Sequence, residues 1–173
     1  RPGPAGAKPS PAFRAGWTKL RDTHDFFPLI RKFNLSRRKA LEYADPSQAH
    51  QVEPSGLESL LTLAAGYGIP LLVFTGNRGA LQIHSGPIHT IRTMPNWLNI
   101  MDKDFTLHLH TPDIHQAWIV RKPTVGGIVT SLEVFDRSDN TIALFFSACK
   151  PGTPEQETWC DIIRSLPRLV HTA

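Results

Sequence analysis

From Ile69 to Ser147 the sequence consists of short runs of β-branched and aromatic residues separated by turn residues. Runs of this length and composition are typical of β-strands, and short glycine-containing turns such as Gly76-Asn77-Arg78-Gly79 join antiparallel neighbours. The pattern therefore predicts an antiparallel sheet. Its expected strands are Leu71 to Thr75, Ala80 to Ser85, Ile88 to Met94, Trp97 to Met101, Phe105 to His110, Gln116 to Arg121, Ile128 to Phe135 and Thr141 to Ser147.

Helical patterns lie on both sides of the predicted strands. Three N-terminal helices are expected, from Thr23 to about Phe33, from Arg37 to Ala44, and from Ser55 to about Gly66. A closing helix is predicted over residues 154–166, where apolar residues recur at helical spacing. The fold class is therefore α+β, with N-terminal helices packed on one large antiparallel sheet and a closing C-terminal helix.

Residues 1–16 contain four prolines, three glycines and four alanines, and they lack apolar periodicity. This composition predicts a flexible linker over 1–16, followed by a single domain over 17–173. The sequence contains no apolar run near the roughly 20 residues that cross a bilayer, so membrane insertion is not expected. Two cysteines do not make a disulfide framework, which favours a cytoplasmic location.

The segment His24 to Asn34 places an imidazole beside aromatic rings and basic residues. If it is helical, His24, Phe27 and Arg31 lie near one face, because residues three and four apart are neighbours on a helix. An imidazole with apolar and cationic neighbours suits a flat, anionic ligand that carries a metal. Haem fits this description, since its iron binds histidine and its propionates bind Arg or Lys.

Five segments occur in a fixed order along the chain, namely His24 to Arg38, Phe74 to Gly79, Gln82 to Pro87, Trp97 to Met101 and Arg121 to Thr124. They carry a resemblance that extends from about Thr23 to about Leu166. The chain resembles the C-terminal half of the bacterial hemin-degrading and haem-trafficking proteins, the HemS/HmuS family. That resemblance implies cytoplasmic binding of haem, iron protoporphyrin IX, for haem uptake, transport or degradation and for iron acquisition.

The resemblance also assigns roles to single residues. His24 matches the axial iron ligand of the family. Phe27 is expected to pack against the macrocycle, and Phe146 to wall the pocket. Arg37 and Lys122 are expected to neutralise the propionates.

Ligation of iron requires His24 to face the metal through one ring nitrogen while an acceptor holds the other. Asp25 or a backbone carbonyl is the expected acceptor. The sequence departs from the family at Cys149, where an Arg is common, and near Leu144, where a Gln is common. Both departures make one side of the expected pocket less polar.

The resemblance leaves two activities open, namely oxygen- or reductant-dependent breakdown of haem and delivery of haem to a separate oxygenase. The expected partners are haem itself, the N-terminal half of the same protein or a second copy, and a haem oxygenase or importer. Hydrolytic enzymes are not indicated, because the sequence has no Gly-x-Ser-x-Gly pattern and neither cysteine has an identifiable neighbouring base.

Two alternatives follow from other features. The formal net charge of +4 attracts anions, which leaves a basic module that binds nucleic acid as one alternative, although the segment around His24 favours haem over nucleic acid. His108 and His110 are two apart on a predicted strand and so share a face. With His84, His89 or His115 they would provide a zinc or copper site, which is the second alternative.

Overall fold

A computed structural model describes residues 10–77, 79–150 and 152–170 of the chain. Within them it contains α-helices, β-strands and two 3₁₀ turns, at Thr23–Asp25 and Thr111–Asp113. The helices are α1 Pro11–Thr18, α2 Phe26–Lys32, α3 Arg37–Tyr43, α4 Gly56–Tyr67 and α5 Glu157–Ser165. The strands are β1 Ala49–Val52, β2 Pro70–Asn77, β3 Ala80–Pro87, β4 Ile91–Met94, β5 Trp97–Met101, β6 Thr106–His110, β7 Gln116–Thr124, β8 Gly127–Phe135 and β9 Thr141–Ser147.

The strands form two antiparallel sheets. Six strands make the large sheet, in the order β1-β7-β8-β9-β2-β3, and the other three make a small sheet in the order β4-β5-β6. The hairpin of β2 and β3 pairs from Pro70 with Pro87 to Asn77 with Ala80, which confirms the predicted turn; Arg78 of that turn lies outside the described residues. The predicted α+β class, with its closing helix, is confirmed.

Both faces of the large sheet are covered along β7. Ala117 and Ile119 point into a core shared with α4 and α5, while Trp118 and Val120 point into a second core shared with α1, α2 and α3. This division follows from the strand period of two, which sends successive side chains to opposite faces. The sheet thus lies between two helical layers along this strand.

The N-terminal region differs from the sequence prediction. An α-helix begins at Pro11, inside the predicted 1–16 linker, whose residues 1–9 lie outside the described part of the chain. Ser10 caps this helix by accepting a hydrogen bond from the Ala12 N–H, and proline is favoured at the first helical position. Phe13 and Trp17, four residues apart, are buried. Burial of these two rings overrides the linker composition of the segment.

Strand β1 is a second difference, because no strand was predicted between the helix expected over Arg37 to Ala44 and the one expected from Ser55. Its four residues pair with β7, from Ala49 with Val120 to Val52 with Ala117, so β1 extends the large sheet at one edge. No helix in the described residues is long and apolar enough to cross a membrane.

Candidate functional site

The turn that presents His24 is held by two carboxylates. The Asp22 side chain accepts a hydrogen bond from the backbone N–H of His24 at 2.8 Å, and the Asp25 side chain accepts one from the N–H of Asp22 at 3.1 Å. This reciprocal capping box fixes the 3₁₀ turn that leads into α2. The predicted helix therefore begins as a tight turn, and Asp25 is used for the backbone rather than for the imidazole.

The His24 ring is exposed but oriented. Its side chain is 89% exposed, and Nδ1 lies 2.7 Å from Oδ1 of Asp22. Hydrogen bonds from the backbone and ring of His24 keep the pKa of Asp22 below its usual value, so this carboxylate is ionised at neutral pH. A carboxylate on one ring nitrogen is the usual support of a metal-binding histidine, and it leaves Nε2 for a ligand. The acceptor is thus Asp22, and the prediction of Asp25 or a backbone carbonyl was wrong.

His24 and Phe146 line the same cavity, of about 290 Å³, between the His24 turn and the large sheet. The rings of Phe74 and Phe146 meet edge to face at 5.6 Å, and together they form an aromatic part of the wall. Other apolar lining comes from Leu72, Ile128 and Val129, and the polar lining includes Cys149, Lys150 and Glu155. The cavity thus combines an oriented imidazole, an apolar wall and a basic side chain.

One side of the cavity depends on a close backbone approach. A Cβ atom at Gly126, in the turn between β7 and β8, would lie 2.7 Å from the Cα of Gly152. Nearby, the Thr130 N–H donates to Oε2 of Glu155 at 2.7 Å. The loop that carries Cys149 and Lys150 is thereby held against the β7–β8 hairpin.

Gly126→Ala is expected to lower the free energy of unfolding by about 1–3 kcal/mol, because the added methyl group collides with backbone that cannot move independently. Urea unfolding followed by circular dichroism measures the change. Gly66→Ala is the matched control, since nothing lies within 4 Å of its added Cβ and alanine is favoured inside a helix. Equal stabilities of the two variants would contradict the close approach.

The predicted propionate anchors, Arg37 and Lys122, meet at one buried carboxylate. Nε and Nη2 of Arg37 donate to the two oxygens of Glu133 at 2.7 and 3.0 Å, and Nζ of Lys122 lies 3.6 Å from Oε2. Ser131 also donates to this oxygen, at 3.1 Å. Lys122 Nζ lies 4.4 Å from the centre of the Phe26 ring. Both cations are therefore already paired with a carboxylate of the protein.

Burial and neighbouring charges together set the protonation states of Lys122 and Glu133. Burial lowers the pKa of Lys122 to about 8, against the opposing effect of Glu133. The pKa of Glu133 falls to about 2 because Arg37 and Lys122 outweigh its burial. At neutral pH the three groups are all charged and carry a net charge of +1.

The five residues predicted for the site occupy two neighbouring places. His24 and Phe146 line the cavity, whereas Arg37 and Lys122 lie on Glu133. Phe27 is 51% exposed and is not among the residues that line the cavity; it follows the His24 turn, and its ring centre lies 5.7 Å from the Arg37 guanidinium.

Sequence reasoning missed three residues at these places, Asp22, Glu133 and Lys150. Glu133 had a signal in the sequence, since it is a lone charge between Leu132 and Val134 in an apolar strand. Such a charge needs a buried partner.

The histidines of the metal alternative lie elsewhere. Nδ1 of His108 is 2.7 Å from Oδ1 of Asn99, and Nδ1 of His110 is 3.0 Å from Oδ2 of Asp113. Both line a separate cavity of about 650 Å³ that also includes Trp97. Across the described ranges, no three His, Cys, Asp or Glu side chains converge in a way that would hold a metal ion. This alternative therefore gains no support from the geometry.

A family model for the haemin-degrading HemS/ChuX domain matches residues 34–166, most of the chain. The chain belongs to this family. Arg37, Lys122 and Phe146 lie within the matched residues of the HemS/ChuX domain, whereas His24 and Phe27 precede them.

Individual relatives agree with this assignment. Hemin transport protein HemS of Yersinia enterocolitica is 39% identical over 155 residues, which are 90% of this chain and 45% of the relative. The crystal structure of holo-PhuS, a heme-binding protein from Pseudomonas aeruginosa, matches with a TM-score of 0.89 at 38% identity, over 98% of this chain and 51% of PhuS. ChuS, an E. coli heme oxygenase, matches with a TM-score of 0.87 at 37% identity, over 92% and 49% of the two chains. The chain therefore spans about half the length of these relatives.

Proposed function

We propose that this chain binds haem at the His24 cavity, with Nε2 of His24 as the axial ligand of the iron. The main support for this proposal is the exposed imidazole of His24, whose Nδ1 is held by Asp22 at the edge of a partly apolar cavity. Membership of the HemS/ChuX family supports haem as the ligand. HemS is a hemin transport protein and ChuS a heme oxygenase, and handling of haem is common to both.

The residues present fit a porphyrin. Phe74 and Phe146 offer apolar faces of the kind that a macrocycle contacts, and Arg37 and Lys122 offer cations for its two carboxylates. The 290 Å³ cavity is slightly smaller than the roughly 300–1,000 Å³ usual for small-molecule pockets. A haem bound there would extend beyond it, over the exposed ring of Phe27.

Each protein group has a separate task in this proposal. Asp22 accepts the Nδ1 proton of His24, which keeps the neutral imidazole in the tautomer that can bind a metal through Nε2. Phe27 and Phe146 pack against the macrocycle, and Arg37 and Lys122 attract the propionates. Haem itself, when bound, supplies the redox chemistry.

The extent of the site supports a further part of the proposal. Because the His24 ring is 89% exposed, the outer side of a bound haem would remain open to solvent in this chain alone. We infer that a second domain of a longer protein, or a second copy of this chain, covers that side. The proposed role is haem transfer or breakdown in the cytoplasm for iron acquisition, with a haem oxygenase or importer as further partner.

A hemin titration of the purified chain, followed at the Soret band, tests the proposal. We expect a saturable spectral change with about one equivalent of hemin, because one imidazole is oriented for iron. Addition of ascorbate then separates the two activities: loss of the Soret band with formation of a tetrapyrrole product indicates breakdown, and an unchanged band indicates a carrier. A linear change without saturation would contradict a haem site in this chain.

A further inference from the structure

Glu133 is a fully buried carboxylate between two cations. It is 0% exposed, and its neighbours Leu132 and Val134 on β8 point into an apolar core. We propose that Glu133 is a positioning residue of the haem site, which holds Arg37 and Lys122 side by side as a preformed pair of cations for the carboxylates of the ligand. This inference rests on the proposed function.

Glu133 orients the guanidinium of Arg37 through two hydrogen bonds. Its fork uses Nε and Nη2 on Glu133, so Nη1 remains for another acceptor. The Arg37 side chain is 16% exposed, and its guanidinium lies against the exposed ring of Phe27. A bidentate pair fixes the plane of a guanidinium, whereas an arginine without it samples many rotamers. Glu133 therefore fixes the plane of the Arg37 guanidinium beside the exposed ring of Phe27, over which the macrocycle is expected.

Glu133 also affects the charge of the two cations that it contacts. Two cations and one carboxylate leave a net charge of +1 at a place where the Lys122 side chain is only 4% exposed. The groups that face the Lys122 ammonium are Glu133 from β8, Arg37 from α3 and the ring of Phe26 from α2. Without Glu133, a buried ammonium would face only a guanidinium, and the pKa of Lys122 would fall further, because the one neighbour that raises it would be gone. Glu133 thus keeps both anchors charged.

A purely structural role is the competing explanation, since the Arg37–Glu133 pair also ties α3 to the large sheet. The two roles differ in what they do to ligand binding by folded protein. If the role of Glu133 is purely structural, its substitution changes only the fraction of the protein that is folded. A positioning residue changes the affinity for carboxylated porphyrins and also the pH at which that affinity falls.

The experiment compares wild type, Glu133→Gln, Glu133→Asp and Lys122→Met from pH 6 to 9.5. Binding of hemin is followed at the Soret band, and binding of metal-free protoporphyrin IX is followed by fluorescence, because it carries the same carboxylates without an iron that titrates. We expect wild-type affinity to fall as the pH rises through about 8, where Lys122 loses its proton. Asp161→Asn removes the same charge from an exposed ion pair on α5 and is the matched control.

Glu133→Gln is expected to raise the dissociation constant about tenfold at pH 7, as loss of a supporting residue commonly does, and to move the alkaline fall below pH 8. Lys122→Met should abolish the fall. Glu133→Asp keeps the charge but is too short for the same fork, so it should bind more weakly with the fall still near pH 8. This variant retains the test if the glutamine variant does not fold.

The positioning role would be overturned if folded Glu133→Gln or Glu133→Asp showed the same affinity and the same pH profile as wild type. If these variants then lost only stability, the role of Glu133 would be purely structural. Failure of the proposed function gives a different result. In that case wild type shows no saturable binding of either porphyrin, and both proposals fall together.

Discussion

Replacing Trp17 by alanine is expected to lower the free energy of unfolding by about 3–5 kcal/mol, the range typical of a large ring removed from a core. Trp17 is 0% exposed and packs edge to face on Phe26 at 4.9 Å and on Phe13 at 6.0 Å. Its Nε1–H donates to the carbonyl of Arg121 on β7 at 2.8 Å. The substitution therefore leaves both a cavity and an unpaired carbonyl in the layer that supports the His24 turn.

Urea unfolding, followed by circular dichroism, measures the effect of Trp17→Ala. Trp97→Ala is the matched control, since Trp97 is 41% exposed on the small sheet and its loss should cost much less. A loss in Trp17→Ala as small as the loss in Trp97→Ala would contradict the burial of Trp17 in the second core.

Trp17 lies in α1, a helix that was not predicted from the sequence. Prolines and glycines dominate the segment before Trp17, and a helix of eight residues is too short to show periodicity clearly. The helix is stabilised instead by contacts with residues far along the chain, such as Arg121. Strand β1 was missed for a similar reason, because its His50 and Gln51 are polar and its order comes from pairing with β7.

The sheet was predictable because its signal is local. From Leu71 to Ser147 each strand is a short apolar or alternating run bounded by turn residues, and all eight predicted strands occur with small changes at their ends. Their division into two sheets was not predictable, since it depends on which edges find partners rather than on any single run. The closing helix followed from its stripe of Trp159, Ile162, Ile163 and Leu166, all buried.

For the candidate site, residue types and resemblance indicated the functional groups but not their partners. Arg37 and Glu133 are 96 positions apart, and nothing local in either segment indicates that they form a fork. Asp22 was missed as the partner of His24 because Asp25 is closer in sequence, directly after His24. The capping geometry decides between them, since it uses Asp25 for the backbone N–H of Asp22. Partners of this kind are brought together by the fold and cannot be identified from neighbouring residues in the sequence.

His24→Ala is expected to raise the dissociation constant for hemin by more than about 100-fold and to abolish the Soret shift of the bound form. The imidazole is the metal-binding group that the structure orients at the cavity, and loss even of a supporting residue costs about 10–100-fold in metal affinity. Stability should change little, because the side chain is 89% exposed and contributes no apolar packing. An unfolding measurement beside the hemin titration separates these two effects.

The chain offers a close control for that experiment. His110, like His24, has Nδ1 held by a carboxylate, at 3.0 Å from Asp113, but it lines a different cavity. His110→Ala should leave hemin binding unchanged if the cavity, and not merely an oriented imidazole, selects the ligand. Asp22→Asn should give an intermediate loss, of about 10–100-fold, because it releases the ring without removing Nε2. Equal binding by wild type and His24→Ala would mean that iron is ligated elsewhere, and a selective loss in His110→Ala would move the site to the second cavity.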